Sequence, residues 1–337
     1  MSSRRQREPR LPPLPELLKR KIYKTGQTRG ADDDVIYQNR VNRNSTVLIP
    51  YDCWDLCTAG HSGAAFENGF IVLIAPRVYF GTPDISDRLG ARGLALGENA
   101  LVFYETRQDW QENNPEERGW KEATSRRSPL GGQYVARIPG TTAASGGDRL
   151  VRGFNATTMK GAGIRVYEYA SSETIADCRL QLEALFWMCA DSESVVVANG
   201  MEPVAAEARR SAILDRCTTR GLLDRERLAS ARIVNAHNKT ICPLCLEGLP
   251  SQGFFNRMEQ AEGRAVADLT VTEVNLFHIA ELRMSALNHR PYNLGWGHHH
   301  CNVVVKDAGI DKTIDWMRGV LQRNTEEGYL SDPKRMG

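Results

Sequence analysis

Three apolar runs stand out in the first third of the chain: residues 46–50 (Thr-Val-Leu-Ile-Pro), 70–74 (Phe-Ile-Val-Leu-Ile) and 101–104 (Leu-Val-Phe-Tyr). Their β-branched and aromatic content, and the Gly, Pro, Asn and Asp around them, predict strands. Residues 108–148 turn charged and then Gly/Ser/Thr-rich, which predicts a mobile loop. From Ile175 the period changes. Ile175, Cys178, Leu182, Leu185, Phe186 and Cys189 recur at three- and four-residue steps, the stripe of a helix facing a core. Residues 204–217 and 222–233 read as two further helices. Beyond 234 the segments shorten: 271–279 and 293–298 read as strands, 302–308 opens a helix, and a closing helix carries Ile314, Met317, Val320 and Leu321. The pattern is α+β, with a β-rich front, a helical middle and a compact C-terminal module.

Composition refines this without changing it. A chain of 337 residues, 41% hydrophobic and 25% charged, has the make-up of a globular protein of two or three domains. The longest apolar run, residues 70–76, falls far short of the ~20 residues that span a bilayer. No apolar stretch follows the first charged residues, so the expected location is the cytoplasm, with no membrane partner. The net charge of +2 conceals a basic arm. Residues 1–29 hold nine Lys or Arg against Glu8 and Glu16. Such an arm can bind a polyanion or stay a solvated tail. The arginines at 209, 210, 216, 220, 225, 227 and 232 pose the same choice between a solvated helical face and a phosphate-contacting one. The organisation expected is an arm and loop over 1–45, a recognition and scaffold region over 46–233, and a chemical module over 234–337.

Metal-binding residues are concentrated in that module. Six of the seven histidines fall between His237 and His300, around the Cys242-Pro-Leu-Cys245 pair. Structural zinc takes four thiolate or imidazole ligands, usually as two short-spaced pairs. His298-His-His-Cys301 repeats the two-residue gap, so Cys242, Cys245, His298 and Cys301 are the expected Zn²⁺ ligands. A buried cysteine pair with surface histidines is the plain alternative, and it gives no reason for three consecutive histidines.

Around the second pair the order His278, Asn293, His298-x-x-Cys301-Asn302, Lys306 resembles the HNH nucleases of the ββα-metal class. The gaps of fifteen residues from His278 to Asn293 and nine from Asn293 to Asn302 fit that motif. The resemblance implies a zinc-stapled ββα nuclease module. In it His278 activates water, Asn293 holds the loop that orients His278, and Asn302 donates an oxygen to a catalytic Mg²⁺. The chemistry agrees: an imidazole titrates near ~6.5 and offers a neutral base at pH 7, and Mg²⁺ prefers hard oxygen donors. One position departs from the family. Where most members carry an acidic or histidine metal ligand just before the base, this chain has Phe277, leaving Asn275, Glu273 or Glu281 to substitute.

Residues 23–29 (Tyr-Lys-Thr-Gly-Gln-Thr-Arg) with residues 66–74 (Phe-Glu-Asn-Gly-Phe-Ile-Val-Leu-Ile) resemble the BstXI-type restriction enzymes. That resemblance implies a type II restriction endonuclease cutting double-stranded DNA at an interrupted palindrome as a symmetric homodimer. Two other readings compete. Pro83-Asp84 followed by Glu105-Thr-Arg107 imitates a PD-(D/E)XK nuclease site, but with Arg107 in the lysine position. A zinc-stabilised DNA-binding regulator without catalysis is the third.

Overall fold

In the computed structural model, residues 11–28, 41–58, 66–138, 140, 150–154, 163–257, 272–306 and 308–330 are described. Residues 1–10, 29–40 and 141–149 lie outside them. Two compact units form. One comprises residues 1–25, 176–281 and 290–337, the other residues 26–175 and 282–289. The helical middle thus groups with the C-terminal module and not with the β-rich front.

The elements follow in order. Helix α1 (Glu16–Lys24) is followed by a short pair, β1 (Gln27–Thr28) and β2 (Val41–Asn42), and by β3 (Val47–Pro50). Then come α2 (Trp54–Thr58), β4 (Phe70–Ile74), α3 (Pro76–Gly81), α4 (Ile85–Ala91), β5 (Ala100–Tyr104), α5 (Arg107–Glu112), β6 (Tyr134–Ile138), β7 (Leu150–Arg152) and β8 (Ile164–Arg165). The helical stretch is α6 (Ser172–Trp187), α7 (Ser192–Ala198), α8 (Pro203–Thr219) and α9 (Arg225–Ser230). The chain closes with β9 (Val274–His278), β10 (Leu294–His298), α10 (His299–Val305) and α11 (Ile310–Glu326).

The sheet unit is built on the three apolar runs. Its six strands are ordered β7-β6-β5-β4-β3-β8, and every pair is parallel except β6–β7. Continuous apolar strands suit a parallel sheet covered on both faces. Alternate residues serve the two faces. Val47, Ile49, Val72 and Ile74 join a cluster with Trp54, Ile85 and Leu89. Leu48, Ile71, Leu73 and Leu101 join another with Ala123, Leu130 and Phe154. Two elements fall where a loop was expected over 108–148. Thr106 caps α5 by accepting from Asp109 N at 3.1 Å, and β6 is buried along its whole length. Arg137 disguises β6 in the sequence. Its guanidinium folds back onto the carbonyls of Ala136, Arg152, Gly153 and Phe154, so a charged residue satisfies itself inside the strand.

The other unit is helical around a ββα element. Leu182, Leu185, Phe186 and Trp187 of α6 share a core with Phe254, Phe277 and Trp296. Phe254 lies edge-on to both Phe186 and Trp296, at 5.1 and 5.0 Å between centroids. Trp296 Nε1 donates to Leu182 O at 2.8 Å, tying β10 to α6. The supposed arm contributes here as well. Leu14, Leu18 and Ile22 are buried in this core, so residues 11–25 are part of the fold and not a solvated tail.

Candidate active site and metal centre

Strands β9 and β10 pair antiparallel with Val274 opposite His298 and His278 opposite Leu294. Helix α10 starts directly after β10, so the end of the hairpin nearest α10 carries His298, His299 and Cys301, while His278 sits at the opposite end, where the hairpin loop begins. The hairpin can approach itself closely because Gly297 lies under Phe277. A Cβ there would stand 2.5 Å from the ring.

Cys242, Cys245, His298 and Cys301 bring their ligand atoms within 4.8 Å of one another. Zinc bonds of ~2.3 Å to sulfur and ~2.0 Å to nitrogen place tetrahedral ligands about 3.3–3.8 Å apart, so the cluster is of the right size for one ion. His298 Nδ1 and Cys245 Sγ are 3.3 Å apart. The Cys242–Cys245 turn is held by Leu246 N donating to Cys242 O and Cys242 N to Glu247 O, at 2.9 and 2.8 Å. Arg232 closes over it, donating to Pro243 O at 2.8 Å. Without a cation, burial and the neighbouring thiols push Cys301 far up, burial foremost raises Cys245, and burial with the nearby His300 lowers His298. A divalent ion reverses the balance for the thiols by stabilising thiolate. Of the five remaining thiols, Cys189 and Cys217 are pushed up to about 12 by burial in the core.

Asn293 is buried and clasps the residue two beyond His278. Its Oδ1 accepts from Ala280 N at 2.7 Å, and its Nδ2 donates to Ala280 O at 3.3 Å. Ile279 N donates to Asn293 O at 3.0 Å, so the backbone leaving His278 is pinned three times. His278 and Asn302 are both half-buried. The Asn302 side chain makes no hydrogen bond among the described residues. His289 is buried and belongs to the 282–289 segment of the sheet unit.

The substitutes for the missing acidic ligand are engaged otherwise. Phe277 is fully buried. Asn275 donates to Thr272 O at 2.6 Å, and its Oδ1 faces the Lys21 ammonium at 3.5 Å. Glu273 accepts from Asn256 Nδ2 at 3.0 Å, and Glu281 pairs with Lys312 at 2.9 Å. A cation-facing amide oxygen is a poor place for Mg²⁺. Asn302 is the remaining oxygen donor of the set.

Several of the helical arginines have partners within the same unit. Arg209 forks onto Glu183 at 2.6 and 2.9 Å and also donates to Pro12 O. Arg210 pairs with Glu193, Arg220 with Asp177, and Arg227 stacks on Tyr292. In the sheet unit, Asp84 is exposed at the start of α4 with φ 53°. Glu105 follows β5 directly, and Arg107 begins α5. The Glu-Thr-Arg stretch is therefore a strand-to-helix corner, with no lysine at its end.

A family model described as BstXI restriction endonuclease matches residues 20–299. No curated protein matches the chain. A crystal structure of a type II restriction endonuclease is similar at 15% identity and a TM-score of 0.25, covering 47% of this chain and 57% of that one. The chain thus spans less than two thirds of that protein, and the family match carries the assignment. No described helix is long and apolar enough to cross a membrane.

Proposed function

From the premise that this chain belongs to the BstXI restriction endonuclease family, we propose that it is a type II restriction endonuclease whose hydrolytic site is the β9-β10-α10 unit, an HNH-type ββα module. The observation that carries this reading is the clasp of Asn293 on Ala280, which holds the backbone beside His278.

In this reading double-stranded DNA is the substrate. The neutral imidazole of His278 takes a proton from water as the water oxygen attacks phosphorus, and the bond to the leaving ester oxygen breaks. Asn293 keeps His278 at the strand end and takes no part in proton transfer. A catalytic Mg²⁺ would supply charge stabilisation at the scissile phosphate. Asn302 would offer it one amide oxygen, beside phosphate oxygens and water. Cys242, Cys245, His298 and Cys301 would hold Zn²⁺, whose contribution is folding energy. The sheet unit is assigned to DNA recognition and scaffolding, and a symmetric homodimer would match a palindromic target.

Phe277 favours one competing reading, a zinc-stabilised DNA-binding regulator, because it removes a ligand that catalysis by the HNH route normally uses. Plasmid DNA with Mg²⁺ separates the two. Discrete fragments from the native protein, lost in His278→Ala with DNA binding retained, support the nuclease. A shifted but intact band at all protein concentrations supports the regulator.

A further inference from the structure

Asn275 is locked in one orientation by partners that have no choice of role. Its Nδ2 lies 2.6 Å from Thr272 O, a carbonyl that can only accept. Its Oδ1 lies on the side of Lys21 Nζ, an ammonium that can only donate, at 3.5 Å. Lys21 is itself buried at 5% exposure and donates to Val274 O. The second proton of the Asn275 amide therefore points at its remaining neighbour, His299 Nδ1, at 3.0 Å. That nitrogen has to accept, which places the proton of a neutral His299 on Nε2. His299 is half-buried, Nε2 has no partner among the described residues, and it is not among the buried unpartnered atoms. An N–H donor is thus held ready where solvent reaches it.

A histidine fixed in this tautomer cannot act as a base or a metal ligand through its accessible nitrogen. It can donate to an anionic oxygen. We infer that His299 Nε2–H binds a backbone phosphate oxygen of DNA, and that Lys21 and Asn275 are positioning residues that set its tautomer. This rests on the proposed nuclease reading for its ligand class, DNA phosphate. The relay itself stands on the hydrogen-bond geometry. It also gives α1 a function beyond core packing, because Lys21 reaches β9 from that helix.

The experiment uses the zinc-loaded full chain labelled with ¹⁵N-histidine, with the His299 signals identified by their loss in His299→Gln. Long-range ¹H–¹⁵N correlation should show Nδ1 bare and Nε2 protonated in the native protein. In Asn275→Asp, whose carboxylate can only accept, Nδ1 should become the protonated nitrogen. A protonated Nδ1 in the native protein overturns the inference. Titration with a short mixed-sequence DNA duplex in the absence of Mg²⁺ should shift the His299 Nε2–H signal, and an unmoved signal also overturns it. His299→Ala should lower kcat/KM for plasmid cleavage by about 10- to 100-fold, the worth of one hydrogen bond to a charged group. Gln, which keeps a donor, should recover part of the loss. If native protein fails to cut at all while the spectra behave as stated, the nuclease reading falls and the phosphate donor stands.

Discussion

Asn293 grips Ala280 by both backbone groups, accepting from its N–H at 2.7 Å and donating to its carbonyl at 3.3 Å. The grip needs an amide, since only an amide side chain offers an acceptor and a donor side by side. Asn293→Asp keeps the first bond and sets a carboxylate oxygen against the Ala280 carbonyl. Asn293→Ala removes both bonds, each worth ~0.5–1.5 kcal/mol. Both variants should cut DNA at least tenfold more slowly with zinc content unchanged. Wild-type turnover in Asn293→Ala would remove this residue from the site.

Helix α1 should behave as part of the core. Leu18 and Ile22 are buried in the core of the helical unit, and Arg209 reaches Pro12 O. Leu18→Ala should cost ~2–5 kcal/mol, as large-to-small core changes do. Urea denaturation of this variant against the native protein checks this. Equal stability would return α1 to the status of a tail.

Zinc is the third expectation. Elemental analysis should find about one zinc per chain, and Cys242→Ser or Cys301→Ser should abolish it. Isolated zinc-finger peptides gain on the order of 10 kcal/mol from the ion. Chelation should therefore lower the melting temperature of the unit that carries β9 and β10, and added Zn²⁺ should restore it. Zinc-free protein that melts and cuts normally would refute the assignment.

Much of this architecture was legible because burial leaves a period in the sequence. The runs that became β3, β4 and β5 were apolar throughout, and the α6 stripe recurred at helical steps. The Cys₃His set followed from two equal spacings, and these residues do converge. Three things were hidden. Leu14, Leu18 and Ile22 also form a helical stripe, but Lys19, Arg20, Lys21 and Lys24 outweigh it in any composition argument. The β6 strand was masked by Arg137, whose charge is satisfied by carbonyls that only the folded sheet brings near. The role of Asn275 was out of reach for another reason. It depends on which way an amide turns, and its partners Lys21 and His299 lie far from it along the chain.

The last expectation concerns Phe277, the position that holds a metal ligand in the HNH pattern of the proposed reading. Replacing it by Asp puts a carboxylate at that position. The structure argues for loss and not gain. Phe277 is fully buried, and Gly297 lies against its ring so closely that a Cβ would come within 2.5 Å of it. Phe277→Asp removes that ring from the core and buries an unpaired charge, two effects that together cost at least ~4 kcal/mol. The carboxylate would face the core of the helical unit, where Mg²⁺ has no water. Phe277→Asp should therefore lose stability and cutting together, with no gain in Mg²⁺ affinity by isothermal calorimetry. Phe277→Leu keeps an apolar side chain and should retain most activity, which shows that the position serves packing. Asn302→Ala should do the reverse, slowing turnover by orders of magnitude while the protein melts as wild type, and Asn302→Asp, which keeps an oxygen donor, should stay active. A folded Phe277→Asp that binds Mg²⁺ more tightly and cuts faster would show that the metal is held from β9 and not from α10.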